Sequence, residues 1–377
     1  MDAPDAGVYV HLPFCPYICP YCDFAKWAWD EGRAAEYLTA LRAELDASSR
    51  VRARTLFFGG GTPTTYDPAT IGILVDDVRA RFALPAGAEI TAEANPDPSL
   101  VARLGALRAA GVNRLSIGVQ SFEPDELRVL GRRHSPADVR EAVRAARAAG
   151  FTNVSVDLIF GAPGQTEESW GASLAAAVAL GVEHISCYGL TIEEGTPYAT
   201  WFARDPAAFA GESCEAAMYA LAIEHLRAAG FEHYEISNWA RSGFRSQHNA
   251  IYWANDPYLG LGVGAASYLD GVRSTHTRDL GVYLRAALGG TTIPGERERL
   301  EGPAQLGEAI MLALRTAEGV DLAAFRERYG IDVNERYREV VGDLVAAGVL
   351  RADAAWLRLT ERGRFVANDV CGAFLVS

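Results

Sequence analysis

Three cysteines crowd the segment Tyr9-Val-His-Leu-Pro-Phe-Cys15-Pro-Tyr-Ile-Cys19-Pro-Tyr-Cys22-Asp-Phe24, with the spacing C-x3-C-x2-C. Pro13, Pro16 and Pro20 make a continuous helix or a central strand here unfavourable. An irregular loop is expected, and such a loop can wrap three thiolates around a compact metal centre. A cubane iron–sulfur cluster takes thiolates as its usual ligands. Three thiolates would leave one of its irons without a protein ligand, open to chelation by a small molecule. Other readings use the same residues. A structural zinc wants four ligands; His11 can serve as the fourth, but there is no second C-x2-C pair. A redox C-x2-C needs two cysteines and leaves Cys15 unexplained.

Further candidates stand at the ends of β-rich runs. Phe58-Gly59-Gly60-Gly61-Thr62-Pro63 follows the second run. Its glycines permit close approach of backbone to a ligand, and their carbonyls can receive an ammonium group. The run fits neither G-x-G-x-x-G nor a P-loop, which argues against a nucleoside triphosphate. Glu93, Gln120 and Asp157 are polar residues within or at the ends of apolar runs. Burying a carboxylate without partners is costly, so matching positions in three runs favour one shared ligand over three separate structural roles. Arg132, in Leu130-Gly-Arg-Arg-His134, can pair with a carboxylate or lie in solvent. In Gln247-His248-Asn249-Ala-Ile-Tyr252-Trp253, His248 has a ring nitrogen suited to axial ligation of a heme iron, and two aromatics stand beside it. A core histidine in ordinary aromatic packing has the same pattern.

Alternating strand and helix signals would position these groups. Strand-like runs occur at Val8–Pro13, Thr55–Phe58, Glu89–Glu93, Arg114–Val119, Asn153–Phe160 and His184–Leu190. Helical stretches lie between them, for example Ala34–Ala47, Pro98–Ala110, Ser135–Ala149 and Glu167–Leu180. Gly111, Gly150, Gly181 and Gly230 each follow a helical stretch, where the left-handed residue after a helix favours glycine. This pattern predicts right-handed βαβ units and a parallel sheet, either an incomplete barrel or an open sheet, in which ligands bind at the carboxyl ends of the strands. The expected division is residues 1–235 as this α/β unit, 236–300 as an aromatic and glycine-rich segment without clear period, and 301–377 as an α-rich, winged-helix-like module. In the last, helices are expected at Pro303–Thr316, Leu322–Tyr329, Asn334–Ala347 and Glu361–Val370, with a hairpin at Leu350–Leu359.

Charge narrows the partners. The chain of 377 residues has a net charge of −13, and residues 301–377 have nine arginines against twelve acidic residues. A DNA-reading wing or a generic nucleic-acid binder needs cationic surface, so no nucleic-acid partner is expected. The first residues carry no signal-peptide pattern, and no apolar run reaches the ~18 residues of a membrane span. Three thiols crowded at metal-binding spacing, with Cys187, Cys214 and Cys371 scattered, fit a reducing compartment, and a cytoplasmic location is expected.

C-x3-C-x-aromatic-C after a first strand, with Tyr21 as the aromatic, resembles the signature of the radical S-adenosylmethionine superfamily. The resemblance implies a 4Fe-4S cluster on Cys15, Cys19 and Cys22, its open iron chelated by S-adenosylmethionine, whose sulfonium is cleaved by an electron from the reduced cluster. Y-x-H-x-P-F-C, GGGTP, GVQSF, L-x-R and D-L-I-F-G-x-P-x-Q-T extend the resemblance over most of the chain, to the oxygen-independent coproporphyrinogen III oxidase family. That implies a partial (β/α)6 barrel with a C-terminal helical domain. It also implies contacts to S-adenosylmethionine from Tyr9, Gly60, Gly61, Thr62, Glu93, Gln120, Arg132 and Asp157. Two departures matter: the true oxidases carry a fourth cysteine where this chain has Phe24, and an extension ahead of the cluster. Both departures, together with H-N-x-x-Y-W at residues 248–253, resemble a sister group of heme chaperones. That resemblance implies heme, associated with His248, and a heme-acceptor protein, with a membrane-bound respiratory protein as a candidate. It implies transfer rather than porphyrinogen oxidation, with no catalytic residue assigned. A homodimer and peripheral membrane association are further expectations.

Overall fold

The alternating sequence folds into βα units whose strands lie side by side in chain order. The structure is a computed structural model and describes residues 3–375. Strand β1 (Asp5–Leu12) leads through the cysteine loop to α1 (Glu31–Ala47). The units continue as β2 (Arg52–Gly60) and α2 (Pro68–Phe82), then β3 (Glu89–Ala94) and α3 (Pro98–Ala109). Next come β4 (Arg114–Gln120) with α4 (Pro124–Val129) and α5 (Pro136–Ala148), β5 (Val154–Phe160) with α6 (Glu167–Ala179), and β6 (His184–Gly189). Local chemistry sets these boundaries. In α5, Ser135 and Asp138 form a reciprocal capping box, Pro136 opens the first turn, and Val139, Ala142, Val143 and Ala146 face the sheet. The chain leaves that helix through Gly150 at φ +88°.

β1 to β6 are parallel, each hydrogen-bonded to the next. The two ends do not meet. After α7 (Pro197–Arg204) and α8 (Glu212–Ala228), the hairpin β7 (Glu232–Glu235) and β8 (Asn238–Ala240) adds antiparallel to β6. Helix α9 (Gln247–Trp253) then leads to β9 (Tyr258–Leu261), which lies parallel to β1 on its other edge. β10 (Ala266–Leu269), β11 (Val272–His276) and, after α10 (Leu280–Leu288), β12 (Gly295–Glu298) complete a twelve-stranded sheet. The architecture is an α/β fold built on an incomplete six-unit barrel. Residues 236–300, without clear period in the sequence, are woven into this sheet. Their strands are short, and β11 and β12 are half-buried or exposed throughout, so neither face carries an apolar stripe.

A second core, around Ile310, Leu314, Phe325, Leu357 and Phe374, belongs to the C-terminal helices and a three-stranded sheet. Two of the expected helices are each split. Tyr337 (φ −113°, ψ 29°) separates Val333–Arg336 from Arg338–Ala346, and Val366 (φ −120°, ψ 31°) separates Glu361–Phe365 from Ala367–Leu375. This module meets the barrel through backbone bonds from Ile236 N–H to Arg315 O (3.1 Å) and from Ala317 N–H to Tyr234 O (2.9 Å). Side chains add Arg245–Glu318 and Arg364–His233 contacts. Within the module, helix Pro303–Leu314 crosses Ala367–Leu375 so closely that a Cβ on Gly307 would lie 2.4 Å from the Phe374 carbonyl oxygen. Gly307→Ala should destabilise the protein by about 1–3 kcal/mol, the usual cost of overpacking a close contact. A chemical denaturation curve checks this, and an unchanged midpoint would contradict the packing.

Candidate functional site

A cavity of about 630 Å³ opens at the carboxyl ends of the parallel strands and runs down between them. Of the residues singled out above, Tyr9, Cys15, Cys19, Cys22, Gly60, Gly61, Thr62, Glu93, Gln120, Arg132, Asp157 and His248 line it, while His11 does not. Strand alternation explains the convergence, because residues two apart in one strand face the same side.

The cysteine loop closes one side of the mouth. Its base is a short parallel pairing of Phe14–Cys15 with Trp27–Ala28, and within it the Cys22 N–H donates to the Cys19 carbonyl at 3.3 Å. Lys26, the only lysine in the chain, donates to the Cys22 carbonyl. The loop lies directly on glycine. A Cβ on Gly61 would stand 2.6 Å from the Pro13 carbonyl, and one on Gly60 (φ +111°) would stand 2.5 Å from the His11 ring. His11 is buried, with Nε2 donating to the Ala25 carbonyl (2.7 Å) and Nδ1 accepting from the Tyr9 hydroxyl (3.0 Å). Burial lowers its pKa to about 4. Both ring nitrogens are therefore occupied within the protein, and His11 ties the loop to β1 rather than offering a free fourth metal ligand.

Burial pushes the Cys15 thiol up to about 11, against the opposing pull of the Thr62 hydroxyl, and raises Cys22 as well. Such thiols ionise beside a strong positive charge, which a metal centre supplies. Among the described residues, no three His, Cys, Asp or Glu side chains are grouped to hold a single metal ion.

Across from the loop, Glu93 accepts the Gly60 N–H at 3.1 Å. Burial, reinforced by the charge of Asp157, raises the Glu93 pKa to about 7. The Asp157 carboxylate is likewise raised by burial, with hydroxyls of Ser186 and Ser116 holding its charged form. Gln120 enters the cavity from a bulge where the β4–β5 register skips Val119, and its backbone is left-handed at φ +69°. A non-glycine residue in that region stores strain of about 1–3 kcal/mol. Arg132 reaches back over the mouth. Its Nη2 donates to Asn95 Oδ1 (2.6 Å) and the Gly118 carbonyl (2.5 Å), while Nη1 lies 3.4 Å from Cys19 Sγ.

At the opposite end, α9 forms the floor. The Glu89 carboxylate accepts the N–H groups of Gln247 (3.2 Å) and His248 (3.0 Å), an anion placed where the helix dipole favours it. His248 is buried, with Nδ1 bonded to the Thr55 hydroxyl (2.7 Å) and Nε2 to the Tyr252 hydroxyl (2.8 Å). Burial lowers its pKa to about 3. Axial ligation through Nε2 would therefore require Tyr252 to let go. At the mouth, Phe24 is 65% exposed, and Ile18 and Tyr188 are also exposed on the rim.

Sequence reasoning missed Asn95 and the serines around Asp157. Asn95 stands two residues beyond Glu93 and so projects from the same face. Ser116, Ser155 and Ser186 are small hydroxyls in otherwise apolar strands, and the register pairs Ser116 with Ser155 and Asp157 with Ser186. It also missed Arg114, which is buried and lines the cavity.

The raised Glu93 pKa has a definite sign. The folded state holds the proton more tightly than the unfolded chain, so this group favours folding fully below the ordinary glutamate range and loses that contribution as pH rises to about 7. Protein stripped of small ligands should lose on the order of 1–3 kcal/mol of stability over that window. Glu93→Gln should flatten the loss in a thermal-melt pH series; an identical pH dependence in the variant would contradict it.

Relatives share the whole length of the chain. The radical SAM superfamily profile matches residues 9–177, and the HemN C-terminal domain profile matches 300–366. The chain is 36% identical to the heme chaperone HemW of Bacillus subtilis, over 98% of this chain and 99% of that one. It is 34% identical to that of Escherichia coli, over 99% and 98%. The fold is similar to that of coproporphyrinogen III oxidase (HemN) from Escherichia coli, described as a radical SAM enzyme. The TM-score is 0.85, with 24% identity over 99% of this chain and 90% of that one. With relatives of this identity along its full length, the chain belongs to the HemW family of the radical SAM superfamily.

Proposed function

We propose that this chain is a heme chaperone that carries a 4Fe-4S cluster with S-adenosylmethionine, binds heme and hands it to an acceptor protein. The observation that supports this most is the single cavity, where three loop thiols, the strand-end polar residues and an exposed phenylalanine meet. The donor set fits the cluster, since three thiols share one loop and neither nitrogen of His11 is free to join them. Cys15, Cys19 and Cys22 would hold it. When bound, the reduced cluster supplies the electron that cleaves the sulfonium of S-adenosylmethionine.

The chain's own residues then have distinct tasks. Glu93, ionised above a pH of about 7, offers its free carboxylate oxygen to an ammonium group. Gly60 and Gly61 let that group approach the backbone, with Thr62 beside them. Asp157, held by serine hydroxyls, accepts from ribose, and Gln120 and Tyr9 complete the polar wall. Arg132 neutralises a carboxylate at the mouth. Phe24 places an apolar ring where the oxidases carry a fourth cysteine, which favours holding a flat apolar macrocycle over oxidising one.

In the same proposal, residues 1–235 hold the cluster and nucleotide, 236–300 form the cavity floor, and 301–377 contact the acceptor. Exposed Val345, Phe365, Val366 and Leu375 support a protein contact on that module. No helix among the described residues is long and apolar enough to cross a membrane, so a membrane-bound respiratory acceptor would be met at the surface. A cytoplasmic location and self-association into a homodimer belong to the same reading.

Heme added to anaerobically loaded protein should give a saturable Soret shift at about one heme per chain. Coproporphyrinogen III with S-adenosylmethionine should give no decarboxylated product. Absence of a saturable complex refutes the chaperone reading, and product formation would favour a tetrapyrrole-modifying enzyme. For His248 as heme ligand the expectation is specific. Tyr252→Phe frees Nε2 and should tighten heme binding; unchanged or weaker binding removes His248 from that role.

A further inference from the structure

Asn95 joins the surroundings of Cys19. Its Oδ1 accepts from Arg132 Nη2 at 2.6 Å, and its Nδ2 donates to the Thr62 hydroxyl at 3.2 Å. Arg132 Nη1 lies 3.4 Å from Cys19 Sγ. Asn95 is buried at 8% exposure, on the cavity wall. The same Arg132 nitrogen donates to the Gly118 carbonyl at 2.5 Å, which the bulge before Gln120 presents. A Cβ on Gly118 would come 3.3 Å from Arg132 Nη2 and 2.9 Å from Gln120 Nε2, so the guanidinium fills its slot closely. Tyr17 covers it from one side, its ring centre 5.7 Å from the guanidinium carbon.

We propose that Asn95 is a positioning residue that holds the Arg132 cation against Cys19, and thereby raises the reduction potential of the cluster that Cys19 would help to hold. This rests on the reading that Cys15, Cys19 and Cys22 hold the cluster. Reduction adds one negative charge to the cluster, and hydrogen bonds and charges at its sulfurs set its potential. A cation fixed at one sulfur favours the reduced form. Without the Asn95 amide, Arg132 keeps only the Gly118 carbonyl and the Cys19 sulfur as hydrogen-bond partners. Its long side chain then has rotamer freedom to leave the sulfur.

The test is a potentiometric titration followed by electron paramagnetic resonance on anaerobically reconstituted protein, without added S-adenosylmethionine. Iron and sulfide content is measured on the same samples. Asn95→Leu, nearly isosteric and without hydrogen bonds, should lower the potential by at least 59 mV, a tenfold shift of a one-electron equilibrium. Arg132→Gln should lower it as well, and adding Asn95→Leu to Arg132→Gln should shift it little further, because one acts through the other. An unchanged potential in Asn95→Leu, or fully additive shifts, would overturn the proposal. If Asn95→Leu does not load iron, Asn95→Ser, which cannot span both partners, bears the same expectations. Wild-type protein without iron and sulfide would instead remove the cluster reading itself, and the proposal with it.

Discussion

The cysteine loop rests on the rim of the sheet only because the end of β2 has no side chains. Gly60 and Gly61 lie beneath His11 and Pro13, with 2.5 and 2.6 Å available where a Cβ would go. That contact fixes the height of the loop above the strand ends. It also brings His11 within reach of both Tyr9 and Ala25, which anchors the irregular segment to β1 without regular secondary structure. From there the thiols face the polar residues of the neighbouring strands. Gly131, at φ +67°, repeats the device on the far side, where a Cβ would meet Pro20 at 2.5 Å.

The interior beneath the loop is expensive to maintain. Glu93 and Asp157 are half-buried carboxylates on the cavity wall, Arg114 is buried, and Gln120 holds a strained backbone. A folded chain optimised for stability alone would fill this space with aliphatic side chains. Here the apolar layer lies outside, between strands and helices, and offsets the cost of a polar lumen. The serines along β4 to β6 and the Glu89–α9 contact show how that lumen is kept in order before any ligand arrives. Such pre-arrangement suits binding, because little reorganisation remains to be done.

Much of this was legible in the sequence, for identifiable reasons. Gly111, Gly150, Gly181 and Gly230 after helices, each followed by a β-branched or aromatic residue, marked the units. The polar residues Glu93, Gln120 and Asp157 stood out because they interrupt apolar strands. Other parts had no local signature. Arg132 and Asn95 are far apart in the chain and meet only across two strands. β11 and β12 lack an apolar face, so no period betrays them. The pattern around His248 fits an axial ligand or a core histidine alike, and spacing cannot report that Thr55 and Tyr252 already occupy both nitrogens of His248. Nor could the count of cysteines show that His11 is engaged elsewhere.

The central proposal is that Cys15, Cys19 and Cys22 would hold a cluster that binds S-adenosylmethionine beside Glu93 and Asp157. Pulsed electron paramagnetic resonance on the reduced protein tests it directly, using S-adenosylmethionine labelled with 15N or 17O on its methionine part. The account predicts hyperfine coupling from both the amino nitrogen and a carboxylate oxygen to the cluster, lost when Cys15, Cys19 or Cys22 is replaced by alanine. A reduced cluster that shows no coupling to the labels, or a loop that binds zinc in its place, would contradict it.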